Sequence, residues 1–165
     1  ALDGLCRAAG SRVRYVKPHG ALYHSVVHHE EQAAAVVEAV IAYDDALPIL
    51  GLPGSALLRR ASAAGLETVR EAFVDRGYRA DATLVPRDQA SALIDDPLRA
   101  ARRAVRLVRD GTVDSVGGEA VSVSARSLCV HGDSPGAVAM ARAVRDALIE
   151  AGIALRPFVE PSCAP

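Results

Sequence analysis

Leu47-Pro48-Ile49-Leu50-Gly51-Leu52, Ser55 to Ala64 closed by Gly65, and Leu66-Glu67-Thr68-Val69 form the stretch whose reading decides the fold. The first piece is a short apolar run of the kind that makes a strand buried on both faces. The second is helical, with Ser55 at its start and a glycine just past its end. The third is again a short apolar run. Strand, helix, strand within about two dozen residues predicts a parallel pair joined by a right-handed crossover.

The same alternation extends outward. Ala1 to Ala9 reads as the end of a helix closed by Gly10, and Arg12 to Val16 alternates like a strand. A helix is predicted from Glu30 to Tyr43. Another opens at Asp96-Pro97, an N-cap followed by proline at the first helical position, and ends at Gly111. Ala120 to Ser124 and Ser127 to Val130 are β-type runs, either two strands or one interrupted element. Ser134-Pro135 is expected to open a last helix that closes at Gly152. Val116-Gly117-Gly118-Glu119 reads as a plain turn, being too short for a nucleotide signature. The fold class is therefore α/β, an open wound sheet or part of a barrel. At 165 residues the chain is short of the roughly 250 that a full (β/α) barrel takes. One domain over 1–165 is the expectation, with N-terminal units missing.

Composition narrows the function. Half the residues are hydrophobic and 24% are charged, which is globular composition. Nineteen basic against twenty acidic residues leave a net charge of -1, a poor footprint for nucleic acid or an anionic membrane. No apolar run approaches the roughly 20 residues of a membrane helix, and a cytoplasmic setting is expected. Cys6, Cys129 and Cys163 are far apart and form neither a disulfide framework nor a CxxC pair. Alanine supplies 32 residues and tryptophan none, so small side chains must pack the core. Eighteen of the nineteen basic residues are arginine. The exception is Lys17, and two readings stand side by side: drift in an Arg-favouring genome, or a site that needs a compact amine.

Three polar clusters each follow a β-type run: Lys17-Pro18-His19-Gly20 after Val16, Glu71 to Arg76 after Val69, and His131-Gly132-Asp133 after Val130. In parallel α/β folds such positions lie at the carboxyl ends of strands, where ligands bind. The three loops are expected to converge on one cleft. Lys17 and His19 would be held rigidly by Pro18. Asp75 would serve as acid, base or orienter and Arg76 as an anion clamp. His131 and Asp133, two residues apart, would form a proton-transfer unit. Against this stand plainer readings: a solvated turn at Lys17, a surface ion pair among Glu71, Asp75 and Arg76, and helix capping by Asp133 and Ser134. His28-His29 reads as a solvated loop, and His24 is undecided. There is no P-loop, GxGxxG, HExxH or nucleophile-elbow serine.

Four segments carry a resemblance. Val16-Lys17-Pro18-His19-Gly20-Ala21-Leu22-Tyr23, Glu71 to Tyr78, Thr83-Leu84-Val85-Pro86-Arg87 and Cys129-Val130-His131-Gly132-Asp133-Ser134-Pro135 occur in the order found in the LamB/YcsF family. The chain resembles that family, whose members are the A component of 5-oxoprolinase. His24 stands where the family usually has Asn, and Ala82 and Ala90-Ser91 replace expected glycine-containing positions. The resemblance implies a partial (β/α) barrel related to the glycoside hydrolase and deacetylase barrels, this chain being its C-terminal two-thirds. It implies a bacterial enzyme that opens 5-oxoproline to L-glutamate with ATP hydrolysis, together with subunits B and C. Homo-oligomers are also compatible with it. Lys17, His19, Asp75, His131 and Asp133 are implied as catalytic residues. Glu71, Arg76 and Arg87 are implied as substrate-binding, with ATP as co-substrate and no metal assigned. Two other readings remain open: a metal-dependent deacetylase-like hydrolase using His19, His131 and Asp133, and a truncated chain that only binds its partners.

Overall fold

The computed structural model describes residues 1–134 and 136–159, and these divide into two compact units, Ala1–Val69 with Val159, and Arg70–Phe158. Both are mixed α/β. Pro135 and Cys163, named above, lie outside the described residues.

The first unit holds α1 (Leu2–Ala8), α2 (Ala21–His28), α3 (Glu30–Tyr43), β1 (Ile49–Gly51), α4 (Ala56–Ala63) and the start of β2 (Thr68–Phe73). Its core gathers Ala33, Val37 and Val40 from α3, Ile49 from β1, and Ala56, Leu57, Leu58 and Ala61 from α4. Ala33, Val37 and Val40 are spaced as one helix face, whereas α4 is buried over a broader arc. Ser55 caps α4, its hydroxyl accepting the Leu58 N–H at 3.2 Å. Gly51 is small for a reason: a Cβ there would lie 3.1 Å from a Leu58 methyl group. Ile49 N–H donates to the Glu67 carbonyl at 2.9 Å. The strand–helix–strand reading of 47–69 is thus the observed order.

Arg12 to Val16 departs from its expected strand. Only Val16 pairs, parallel to Ile49, its N–H donating to Pro48 O and its carbonyl accepting from Leu50 N–H, both at 2.9 Å. The next bond upstream would need an N–H on Pro48, and the next downstream an N–H on Pro18. Neither proline has one, so the ladder stops after a single rung. Helix α2, unforeseen in the sequence, starts after Gly20 at φ 61° and buries only Tyr23 and Val26. His28 is its last residue, and both His28 and His29 are exposed.

The second unit holds the rest of β2, α5 (Pro97–Asp110), β3 (Thr112–Asp114), β4 (Ala120–Ser122), β5 (Ser127–Cys129) and α6 (Ala137–Glu150). Strands β2 and β5 run parallel, with Glu71 opposite Ser127, Ala72 opposite Leu128 and Phe73 opposite Cys129. Strands β3 and β4 form an antiparallel hairpin across Val116 to Glu119, so the glycine-rich segment is a turn. The two runs around 120–130 are therefore separate strands in different pairings. Helix α5 has the expected Asp96 cap on Leu98 N–H at 2.9 Å, Pro97 in its first turn and Gly111 in the left-handed C-terminal position. It packs against α6; α5 buries Ala100, Ala101, Ala104 and Leu107, and α6 buries Met140, Val144 and Leu148. The expected opening of α6 at Ser134-Pro135 is corrected: the N-cap is Gly136, at φ 79°. With glycine at the N-cap, the helix opens without a side-chain cap hydrogen bond.

Candidate active site

The apolar run before Glu71 ends at Val69, but strand β2 continues to Phe73. Glu71 therefore lies within the strand and is 1% exposed. The whole segment Glu71 to Tyr78 is buried, so the surface ion-pair reading of Glu71, Asp75 and Arg76 does not hold.

Past the ends of β2 and β5 the register carries on. The paired positions are 56 residues apart, as are Asp75 and His131, each two residues beyond the last rung. Val74 N–H donates to Cys129 O at 3.2 Å, and the next amide, His131 N–H, turns onto Asp75 Oδ2 at 2.7 Å. The His131 ring follows its main chain: Nδ1 lies 3.0 Å from Asp75 Oδ1 and 2.9 Å from Oδ2. Phe73 stacks on the imidazole, with centroids 5.4 Å apart and planes 23° from parallel. Burial pushes the Asp75 carboxyl up, but the hydrogen bonds from the His131 ring and main chain outweigh it and hold it below the usual range. An ionised Asp75 accepts from Nδ1–H, which leaves Nε2 as the nitrogen available for proton transfer.

The carboxylate that orients His131 is thus Asp75 and not Asp133. Asp133 is exposed and pairs with Arg87, Nη1 to Oδ2 at 3.2 Å. That hydrogen bond from Arg87 holds the Asp133 carboxyl below its usual range. Arg76 is 1% exposed, and its Nε and Nη2 donate to the carbonyls of Ala92 at 3.1 Å and Val85 at 2.6 Å. Arg103 Nη1 in turn donates to the Arg76 carbonyl. Burial foremost, then the charge of Arg87, keeps the Arg76 guanidinium below its ordinary value. Tyr78 closes the turn, its hydroxyl accepting the Phe73 N–H at 2.8 Å; burial pushes that phenol up to about 12. Gly77 is obligatory, since a Cβ would fall 2.2 Å from Ser91 O.

In the first unit, Pro18 is buried, Lys17 half-buried and His19 exposed. Lys17 Nζ sits 5.9 Å from the ring centroid of Tyr23, a cation–π arrangement one helical turn into α2. His24 is exposed and meets Tyr23 edge-on at 6.2 Å. The structure therefore joins Asp75 with His131 and Arg87 with Asp133, and places Lys17 and His19 in the other unit. Among the described residues no three His, Cys, Asp or Glu side chains cluster as a metal set. Phe73 and Tyr23 escape a reading of the sequence alone. Both belong to the quoted motifs in a chain with only two phenylalanines and four tyrosines, and that scarcity is the available signal.

The chain is 55% identical to the A component of 5-oxoprolinase from Kocuria rhizophila and 54% identical to that from Streptomyces avermitilis, over 96% of its length. It spans 63% of the length of each of these curated relatives. A crystal structure of a lactam utilization protein from Thermus thermophilus superposes with a TM-score of 0.88 at 44% identity, covering 96% of this chain and 63% of that one. The LamB/YcsF family profile matches residues 1–162, across all four quoted segments, and the chain belongs to the LamB/YcsF family.

Proposed function

We propose that this chain acts in the ATP-dependent opening of 5-oxoproline to L-glutamate, as the A-type component of a bacterial enzyme that includes B and C subunits. The observation that carries the reading is the Asp75–His131 pair at the carboxyl ends of two parallel strands. It occurs in a chain 55% identical to a protein named as the A component of 5-oxoprolinase. In this reading the β–α order belongs to a (β/α) barrel of the deacetylase kind, and the protein works in the cytoplasm. No helix among the described residues is long and apolar enough to cross a membrane.

The lactam of 5-oxoproline is unstrained and resonance-stabilised, and ATP as co-substrate supplies the driving force. Opening it requires a proton for the departing nitrogen and removal of one from attacking water. His131 Nε2 is the group for that transfer. Asp75 acts through it, holding the tautomer and stabilising the imidazolium that forms, while Phe73 fixes the ring plane. Arg87, with Asp133 steadying its guanidinium, is assigned to the substrate carboxylate. Lys17 and His19, in the motif Val16 to Tyr23, are further catalytic candidates on the family resemblance. Arg76 and Glu71 organise the site from within the buried segment.

Omission tests the assignment. The chain is mixed with B- and C-type subunits, ATP and 5-oxoproline, and glutamate is measured. Glutamate release that requires this chain is expected. Equal release without it overturns the assignment, as does ATP-independent release of acetate from acetylated sugars by this chain.

A further inference from the structure

Helix α5 has a second face besides the one that meets α6. Arg99, Arg102, Arg103 and Arg106 follow the i, i+3, i+4, i+7 spacing of one helix stripe. Like charges at these separations repel one another and destabilise a helix. The one acidic residue inside α5 is Asp110, at its far end. The stripe lines a cavity together with Asp114 and Ser115 of the following hairpin. Arg99, Arg103, Asp114 and Ser115 also line an adjoining cavity of about 540 Å³.

The partners leave a clear excess of positive charge. Asp114 is the sole carboxylate among these lining residues, and Arg106 Nη1 already holds it at 2.6 Å. Arg106 Nε is engaged by Thr112 Oγ1 at 3.2 Å, and Arg103 is anchored on the Arg76 carbonyl. Burial, with Arg99 and Arg106 nearby, holds the Arg103 guanidinium below its ordinary value. Arg99 and Arg102 have no hydrogen-bond or ion-pair partner among the described residues. Two arginines are thus fixed by the fold, and two present unengaged planar forks beside them.

We infer that this cavity binds a phosphate-bearing anion through Arg99 and Arg102, with the half-buried Arg103 as the third cation. Guanidinium forks match phosphate oxygens bidentately, which suits a multivalent phosphate better than a single carboxylate. All the residues that carry the inference lie in the second unit, and it does not depend on the reading of Asp75 and His131.

Pyrophosphate is the probe, titrated calorimetrically into the full chain at low salt. Saturable one-to-one binding is expected, weakening steeply with added chloride. Arg99→Gln with Arg102→Gln should lower affinity at least tenfold while circular dichroism and Tm hold. Should the double variant fail to fold, Arg102→Gln alone, at an exposed position, decides by the same criterion. ATP bound more tightly than pyrophosphate identifies a nucleotide as the source of the phosphate, and ATP bound no more tightly identifies a free anion. Absence of saturable pyrophosphate binding, or wild-type affinity in the folded Gln variant, overturns the inference.

Discussion

Asp75 has its pKa set by two opposed effects: burial raises it, and the His131 hydrogen bonds lower it by more. A carboxyl depressed on folding contributes stability that is fully present above its unfolded value of roughly 3.9. That stability is lost as pH falls through the lower folded value, because the unfolded chain then takes up protons that the folded one resists. The stability of wild type against chemical unfolding is expected to fall as pH drops from about 5 toward the folded pKa, and Asp75→Asn should show a flatter profile there. Parallel profiles would remove the depressed carboxylate. Lys17 offers a second test. Lys17→Arg keeps the charge but replaces a compact ammonium above Tyr23 with a wider planar group. An angstrom-scale displacement of a charge from a reacting centre reduces rate on the order of a hundredfold. Glutamate release in the assembled enzyme should fall by about that factor with Tm unchanged, whereas full activity would reduce Lys17 to a turn residue.

At the scale of elements, backbone strain gathers around the buried segment. Ala82 and Ser91 are the non-glycine residues at positive φ among the described positions, 65° and 64°. They fall within the stretch where the sequence departs from the family's expected glycines. Ala82→Gly and Ser91→Gly should each leave the structure intact and raise stability by up to about 1 kcal/mol, read by denaturant unfolding. Gly77→Ala is the counterpart. Its Cβ would meet the Ser91 carbonyl at 2.2 Å, and neighbouring main chain bonds fix both sides, Gly77 N–H on Ala92 O and Val85 N–H on Gly77 O. A loss of about 2 kcal/mol or more is expected, with a neutral effect counting against the tight approach. Elements with clear signals are legible in the sequence: α4 and α5 run where their caps put them, and α3 where its apolar periodicity does. Arg12 to Val16 misleads because alternation reports a strand's faces but not whether its partner has N–H groups to offer. Helix α2 escapes because it has no side-chain cap and buries only two residues.

For the molecule as a whole, the candidate residues are legible and their partnerships are not. Polar clusters after apolar runs point to Asp75 and His131, yet sequence proximity suggests Asp133 as the partner of His131. What joins residues 75 and 131 is strand register, fixed by the ladder from Glu71–Ser127 to Phe73–Cys129, and no local pattern encodes it. The central claim is that His131, oriented by Asp75, moves protons while a lactam opens. The direct measurement is ATP-dependent glutamate release from 5-oxoproline by the chain assembled with its B- and C-type partners, comparing wild type with His131→Asn. General acid–base catalysis of this kind contributes on the order of 10²- to 10⁴-fold. A loss of at least a hundredfold in a variant that keeps its Tm and its assembly is the predicted result, and wild-type glutamate release by that variant would contradict it.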